Sequence, residues 1–218
     1  MKSETIEVVK NFGTINQNLV FKEGNVLRTI TDGRNVLARA VLEDSFPKSF
    51  GIYDVNEFIG AYNLIDNGNV SFEDKHINIA NQNMSINYFY SDPEMLTNPP
   101  EADVNMPEVE VKFILTQEIL NQLRKASATL GHKSVTIGGH TNGSVTLSIV
   151  DKNSATSNTY AVEVEGEILS DDLPALSINI DNLRLLPGDY QVEVSSKLIS
   201  KFEHTERDLT YWVALEKK

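Results

Sequence analysis

Residues 49–66 read SFGIYDVNEFIGAYNLID, and residues 176–188 read LSINIDNLRLLPG. Each is a short apolar run that meets an aspartate, continues into apolar residues at helical spacing and stops at turn-forming residues, Asn67-Gly68 in the first and Pro187-Gly188 in the second. In the first stretch Asp54 caps a helix, Glu57 three residues on completes a capping-box-like signal, and Val55, Phe58, Ile59 and Tyr62 form the apolar side. In the second, Asp181 stands at the corresponding place before an expected short helix over 182–186.

Outward from these two stretches, one order of elements is written twice. A helix, three strands, a short strand, a second helix and a closing run of strands occupy residues 1–91 and return within 108–218. The fold class expected is therefore α+β, two copies of one domain whose outer strands are available to continue a sheet, a geometry suited to closing rings. Between the copies, residues 92–107 hold four of the seven prolines and read as a connector on the outside of the molecule.

In the first copy Ser3 is expected to cap a helix with Thr5, Val8, Val9, Phe12 and Ile15 on its buried face and Glu7, Lys10, Asn11 and Thr14 opposite. Strands follow over 18–21, 25–30, 35–41 and 49–53, with Asp32-Gly33 as a hairpin turn, and then over 69–72, 76–80 and 84–90. The second copy opens on an alternating run, 108–115, for which the first copy has almost nothing before its helix. Thr116 caps the next helix and Gly131 ends it, with Ile119, Leu123, Ala126 and Leu130 assigned to the buried side. Strands are expected over 134–137, 144–151 around an Asn142-Gly143 turn, 159–165, 176–180, 190–195, 198–202 and 209–215.

Composition restricts the function classes. The chain has 218 residues, enough for two domains of about 100 residues each. No apolar stretch approaches the roughly 20 residues of a membrane-crossing helix, and MKSETIEVVKN lacks a signal-peptide core, so a cytoplasmic protein is expected. There are no cysteines, which excludes disulfides and thiolate chemistry. The net charge of −12 argues against nucleic-acid binding over the whole surface, so any DNA contact must be local.

The segments VKNFGTIN (9–16), FGIYDVNEFIGAYNLI (50–65), HINIANQNMSINYFYSDP (76–93), INIDNLRLLPGDYQVEV (178–194) and YWVALE (211–216) resemble, in order along nearly the whole chain, the sliding clamps of T-even-type bacteriophages. That resemblance implies a two-domain DNA-clamp (PCNA-like) fold. Three subunits would close a ring with sheets outside and helices lining a hole for duplex DNA. The ring would tether the replicative DNA polymerase, be loaded by a clamp-loader ATPase in the bacterial host cytoplasm, and in some relatives also serve late-transcription factors. Such a ring holds DNA by enclosure, so an acidic rim and a few inner cations are compatible.

The resemblance assigns roles that helical phase then populates. Lys10, Asn11, Arg124, Lys125 and Arg184 lie off the apolar stripes and would face the hole, with Lys2 joining them. Subunits would meet through 84–90 of one copy and 159–165 of the next, with Ile86, Tyr88 and Tyr90 set against Tyr160, Val162 and Val164 across the seam. Partner tails would dock beneath the connector among Ile30, Val36, Met106, Val213, Ala214 and Leu215.

Catalytic signals are absent from this reading. His76, His132, His140 and His204 show no metal-ligand spacing, and Gly138 to Gly143 lacks the lysine and helix of a phosphate loop. Asp171-Asp172 and Glu43-Asp44 read as solubilising loop charges, and Lys217-Lys218 is too short for a nucleic-acid tail. No cofactor, metal or enzymatic activity is expected. The alternative is a β-rich virion or scaffold protein, which would share the repeat and the acidity but need no loader.

Overall fold

The structure, a computed structural model, describes residues 1–140, 144–154, 156–170 and 174–217. The Asn142-Gly143 turn, Asp171-Asp172 and Lys218 lie outside the described residues. The chain forms two compact units, Met1–Glu101 and Ala102–Lys218.

The first unit opens with helix α1 (Ser3–Ile15), which buries Thr5, Ile6, Val8, Val9, Phe12 and Ile15. Ser3 is its first helical residue and not its cap. The N-cap position is taken by Lys2, whose backbone N–H is held by the Asp44 carboxylate at 2.7 Å. Strands β1 (Leu19–Phe21), β2 (Gly24–Ile30), β3 (Val36–Phe46) and β4 (Phe50–Ile52) pair antiparallel in the order β4-β1-β2-β3. The β2–β3 turn departs from the Asp-Gly expectation. Arg34 takes the left-handed conformation at φ 53°, and the Thr31 hydroxyl accepts from the N–H groups of Asn35 and Val36, both at 3.1 Å. A threonine clasp thus sets this turn.

Asp54 caps α2 (Val55–Asn63) as its sequence demands, its carboxylate accepting from the N–H of Asn56 at 2.8 Å and of Glu57 at 3.1 Å. Then β5 (Asn69–Phe72), β6 (His76–Ala80) and β7 (Ser85–Phe89) make a separate three-stranded sheet with β7 at one edge. A Gly51–Ser91 bridge and an aromatic cluster stitch the two sheets. Phe21 stacks on Phe50 at 4.8 Å, and Phe46 and Phe50 each reach Phe72 at 5.6 Å. Cβ at Gly51 would lie 2.7 Å from the Ser91 carbonyl, so only glycine permits this crossing.

The second unit begins with β8 (Val111–Leu115) and α3 (Gln117–Leu130). Thr116 caps α3 through Ile119 N–H at 3.2 Å, and Gly131 ends it in the left-handed conformation at φ 73°. Its strands are β9 (Ser134–His140), β10 (Ser144–Val150), β11 (Tyr160–Ile168), β12 (Leu176–Asn179), β13 (Tyr190–Ser195), β14 (Ile199–His204), β15 (Leu209–Ala214) and β16 (Glu216–Lys217). They run in the order β16-β12-β9-β10-β11-β8-β13-β14-β15. β8 bonds β11 on one side and β13 on the other, making one continuous ladder. Among the described residues no strand precedes α1, and the first unit keeps two sheets.

The expected fourth helix is a correction. A single 3-10 turn spans Ile180–Asn182, capped by the Asn179 side chain rather than by Asp181. Leu183, Leu185 and Leu186 are all buried, although Leu183 and Leu185, two apart, would stand on well-separated sides of a helix. Two buried phenols then replace helical hydrogen bonding: Leu186 N–H donates to Tyr211 Oη at 3.1 Å, and Tyr190 Oη–H donates to the Leu186 carbonyl at 2.5 Å.

Candidate nucleic-acid and subunit interfaces

The outward faces of the helices are mixed in charge. α1 exposes Glu4, Glu7, Lys10 and Thr14, with Asn11 half-buried; α2 exposes Asn56, Glu57, Gly60 and Asn63; α3 exposes Glu118, Asn121, Lys125 and Ala128. Glu4, Glu57 and Glu118 each sit in a first helical turn, where a carboxylate complements the helix dipole. On α1 and α3 exposed glutamates thus accompany Lys10 and Lys125, on α2 no cation accompanies Glu57, and all three acids are legible in the sequence as glutamates just after each helix start.

The other expected DNA-facing residues are placed differently. Lys2 precedes the helical face, its ammonium 3.3 Å from Glu43. Arg184 is exposed but belongs to the irregular segment after the 3-10 turn, where its Nε donates to the Asp181 carbonyl at 3.1 Å. Arg124 is half-buried and its Nη2 donates to the Leu183 carbonyl at 2.7 Å; burial holds its pKa below the usual guanidinium value. The cause is helical phase. The buried stripe of α3 is Leu120, Leu123 and Ser127, not the Ile119, Leu123, Ala126, Leu130 set, and Ser127 tolerates burial because its hydroxyl donates to the His132 carbonyl at 2.6 Å.

Each unit presents an open strand edge. Among the described residues β7 pairs only with β6. In β11, residues 160–165 pair with β10 alone, since β8 covers only Gly166–Ile168. Two of the alternating side chains, Tyr88 and Tyr160, turn toward the helix of their own unit. Tyr88 meets Phe58 edge-on at 5.3 Å and donates to the Asp54 carbonyl and Glu57, both at 3.2 Å; burial and the Glu57 charge push its pKa up to about 12. Tyr90 packs on Phe50 at 4.9 Å and is pushed to about 12 by burial. Tyr160 donates to Gln122 of α3 at 3.1 Å, Val164 is buried, and Ile86 and Val162 are half-buried. The opposite face of β7 shows Phe89, 65% exposed, with the His76 ring 5.3 Å away. Sequence alternation does not single out Phe89, because both faces of this strand carry aromatics.

Of the expected tail-docking residues, Val36, Val213 and Leu215 are buried and form no open wall, whereas Ala214 is exposed and Ile30 and Met106 are half-buried. Within the first unit, Ile30 lies on the same outer face of β2 as Val26 and Arg28. Val26 and Arg28 on that face line a groove of about 440 Å³ with Val20, Lys22, Asn98, Pro99 and Glu101, and Ile30 is not among its walls. Among the described residues no cluster of three or more histidine, aspartate or glutamate side chains could hold a metal. His204 is structural, 5.1 Å from the Tyr190 ring and 3.3 Å from the Pro187 carbonyl. No helix among the described residues is long and apolar enough to cross a membrane.

Superposed on solved structures, the chain matches the PCNA of A. fulgidus, solved with the C-terminal region of FEN-1, at a TM-score of 0.72 with 12% identity over 100% of this chain and 97% of that one. The fold is thus that of the DNA clamps, two-domain and α+β with antiparallel sheets. Residues 2–96 match the family model described as DNA polymerase processivity factor, and 112–217 the model described as gp45 sliding clamp, C terminal. The sliding clamp of Vibrio phage KVP40 is 33% identical over 99% of this chain and 98% of its own length, and that of Enterobacteria phage T4 is 26% identical over 99% and 96%. The chain belongs to the sliding clamps, the processivity factors of DNA polymerases. A virion or scaffold role finds no support in these relationships.

Proposed function

We propose that three copies of this chain close a ring around duplex DNA and hold the replicative polymerase to its template, without chemistry of their own. The observation that carries this reading is the pair of open edges. β7 in the first unit and residues 160–165 in the second each lack one ladder partner, and joining them between copies would pair both sets of backbone groups. Half-buried Ile86, Tyr88, Tyr90, Tyr160 and Val162 would then meet along the helix side of the joined sheet by their exposed rims. Lys10 and Lys125 would meet phosphates inside the hole, while Arg124 would hold α3 in place behind them. A clamp-loader ATPase would open one seam. Polymerase, loader and late-transcription factors would compete for the connector side.

The test is molar mass by light scattering across a dilution series, together with retention on DNA. A trimer that dissociates on dilution, and that stays on nicked circular DNA after ATP-dependent loading but leaves when the circle is linearised, is the expected result. A chain that is monomeric at every concentration, or whose retention ignores DNA topology, sinks the reading. Ile86→Lys at the β7 edge should lower the trimer fraction while the circular dichroism spectrum stays unchanged.

A further inference from the structure

The two open edges differ in charge. Residues 84–90, MSINYFY, carry no acid or cation, whereas residues 160–165, YAVEVE, carry Glu163 and Glu165 and no cation. Strand alternation puts both glutamates on the face opposite Tyr160, whose hydroxyl turns to Gln122 of α3, and both are exposed. Their cross-strand neighbours on β10, Thr146 for Glu163 and Ser144 for Glu165, bring no positive charge to them. At the Tyr90 end of β7, by contrast, charges of both signs meet. The Lys48 ammonium lies 5.2 Å from the Tyr90 ring centre and donates to the Glu73 carbonyl, the Tyr90 N–H donates to the Lys75 carbonyl at 3.0 Å, and Glu73 and Asp74 stand within electrostatic reach. One edge is acidic and the other balanced.

An open edge accepts any strand that matches it, a copy of itself included. When β7 of one copy joins β11 of the next, the contact is head to tail and can repeat around a rotation until a ring closes. When β11 joins β11, the contact is two-fold, consumes the edge and ends assembly at a dimer. Charge separates these outcomes. Antiparallel pairing of 160–165 with itself, with both helices on one face, sets at least one glutamate of each copy opposite or diagonal to a glutamate of the other, roughly 5–8 Å apart, and like charges so placed weaken the pair. Against β7, with the face of Tyr88 joined to the face of Tyr160, the same glutamates meet Ser85, Asn87 and Phe89, which are neutral.

We propose that Glu163 and Glu165 bar β11 from pairing with itself and so reserve its edge for a strand of different charge, β7 of a neighbouring copy. The reservation for β7 rests on the reading of the chain as a ring-forming clamp, whereas the bar on self-pairing rests on β11 alone. The glutamates add no attraction to the seam. They set its specificity by weakening the competing two-fold contact.

The absence of cysteine makes the test direct. Val162→Cys introduces a single thiol, and a bis-maleimide then joins two copies where β11 meets β11. Dimer yield is compared in the parent, with Glu163→Thr and Glu165→Thr, and with Glu163→Asp and Glu165→Asp. Threonine removes the charge and suits a strand, and aspartate keeps the charge. Yield should rise about five- to tenfold with threonine and return to the parent level with aspartate, the scale of one or two like-charge contacts. The pair Glu163→Gln and Glu165→Gln, closer in shape to the parent, should follow threonine. Equal yields in all backgrounds, high or low, overturn the proposal. Mixing differently tagged chains carrying Ile86→Cys or Val162→Cys tests the ring seam separately. Mixed crosslinks together with an acid-dependent block on self-crosslinking uphold both readings. The block without mixed crosslinks refutes the seam and leaves the role of the glutamates standing, and mixed crosslinks with self-crosslinking indifferent to the acids do the reverse.

Discussion

Arg124 on α3 donates to the main-chain carbonyl of Leu183, 2.7 Å away, and so fastens the only long helix of the second unit's described residues to the turn that replaces its expected partner helix. The guanidinium is a strut. Arg124→Ala should therefore destabilise the protein by about 1.5–3 kcal/mol, the range for a hydrogen bond to a charged group, as read by urea unfolding. A variant as stable as wild type would show that the contact is incidental.

Lys10 and Lys125 should behave in the opposite way. Both are exposed on helix faces, and Lys10→Ala or Lys125→Ala should leave unfolding free energy within about 0.5 kcal/mol. On DNA-loaded protein each should flatten the logarithmic salt dependence of DNA binding by up to about 0.9, the slope that one neutralised phosphate contributes. Unaltered salt dependence in the double variant would remove both residues from the DNA path.

Asp54 supplies a pH signature. The N–H of Glu57, the Gln17 side chain and the N–H of Asn56 stabilise its ionised form and lower its pKa from 3.8. A depressed folded-state pKa means that the stabilisation is complete above the unfolded value and fades as pH falls through the folded one. Asp54→Ala should thus lower the unfolding midpoint at neutral pH, and the gap between variant and wild type should shrink below pH 3.8. A gap that persists unchanged into strong acid would assign it to something other than the carboxylate cap.

Tyr211→Phe strips the Leu186 N–H of its acceptor in a fully buried setting. An unmet buried donor costs about 1–3 kcal/mol, which denaturant unfolding should register. Wild-type stability in this variant would mean that the chain finds another acceptor for that N–H.

How far the sequence reveals the structure follows the range of the interactions involved. Asp54, Thr116 and Gly131 are readable because capping chemistry is completed within four residues of each site. The phase of α3 is not. Ser127 looks polar in the sequence, and only the His132 carbonyl waiting across the turn makes its burial acceptable, so periodicity alone sets Arg124 one face too far outward. The 182–186 segment fails as a helix for a similar reason, since Tyr190 and Tyr211, the latter 25 residues beyond Leu186, satisfy its backbone. For β7, alternation reveals two faces but not which one α2 covers, so it assigns Tyr88 to the seam without its contact to Phe58 and passes over Phe89. Ile30 shares the face of β2 that carries Val26 and Arg28 but does not line the groove, and the contact of Lys22 with Glu101, 79 residues on, is beyond any local pattern.

β8 threads the second unit into a single ladder, and the first unit, without such a thread, relies on one bridge and a knot of phenylalanines between its two sheets. Elements joined by few backbone hydrogen bonds open at lower free energy than those held in a long ladder. The expected consequence is that the first unit yields before the second, so that amide protons of β5 to β7 exchange with deuterium sooner than those of β13 to β15.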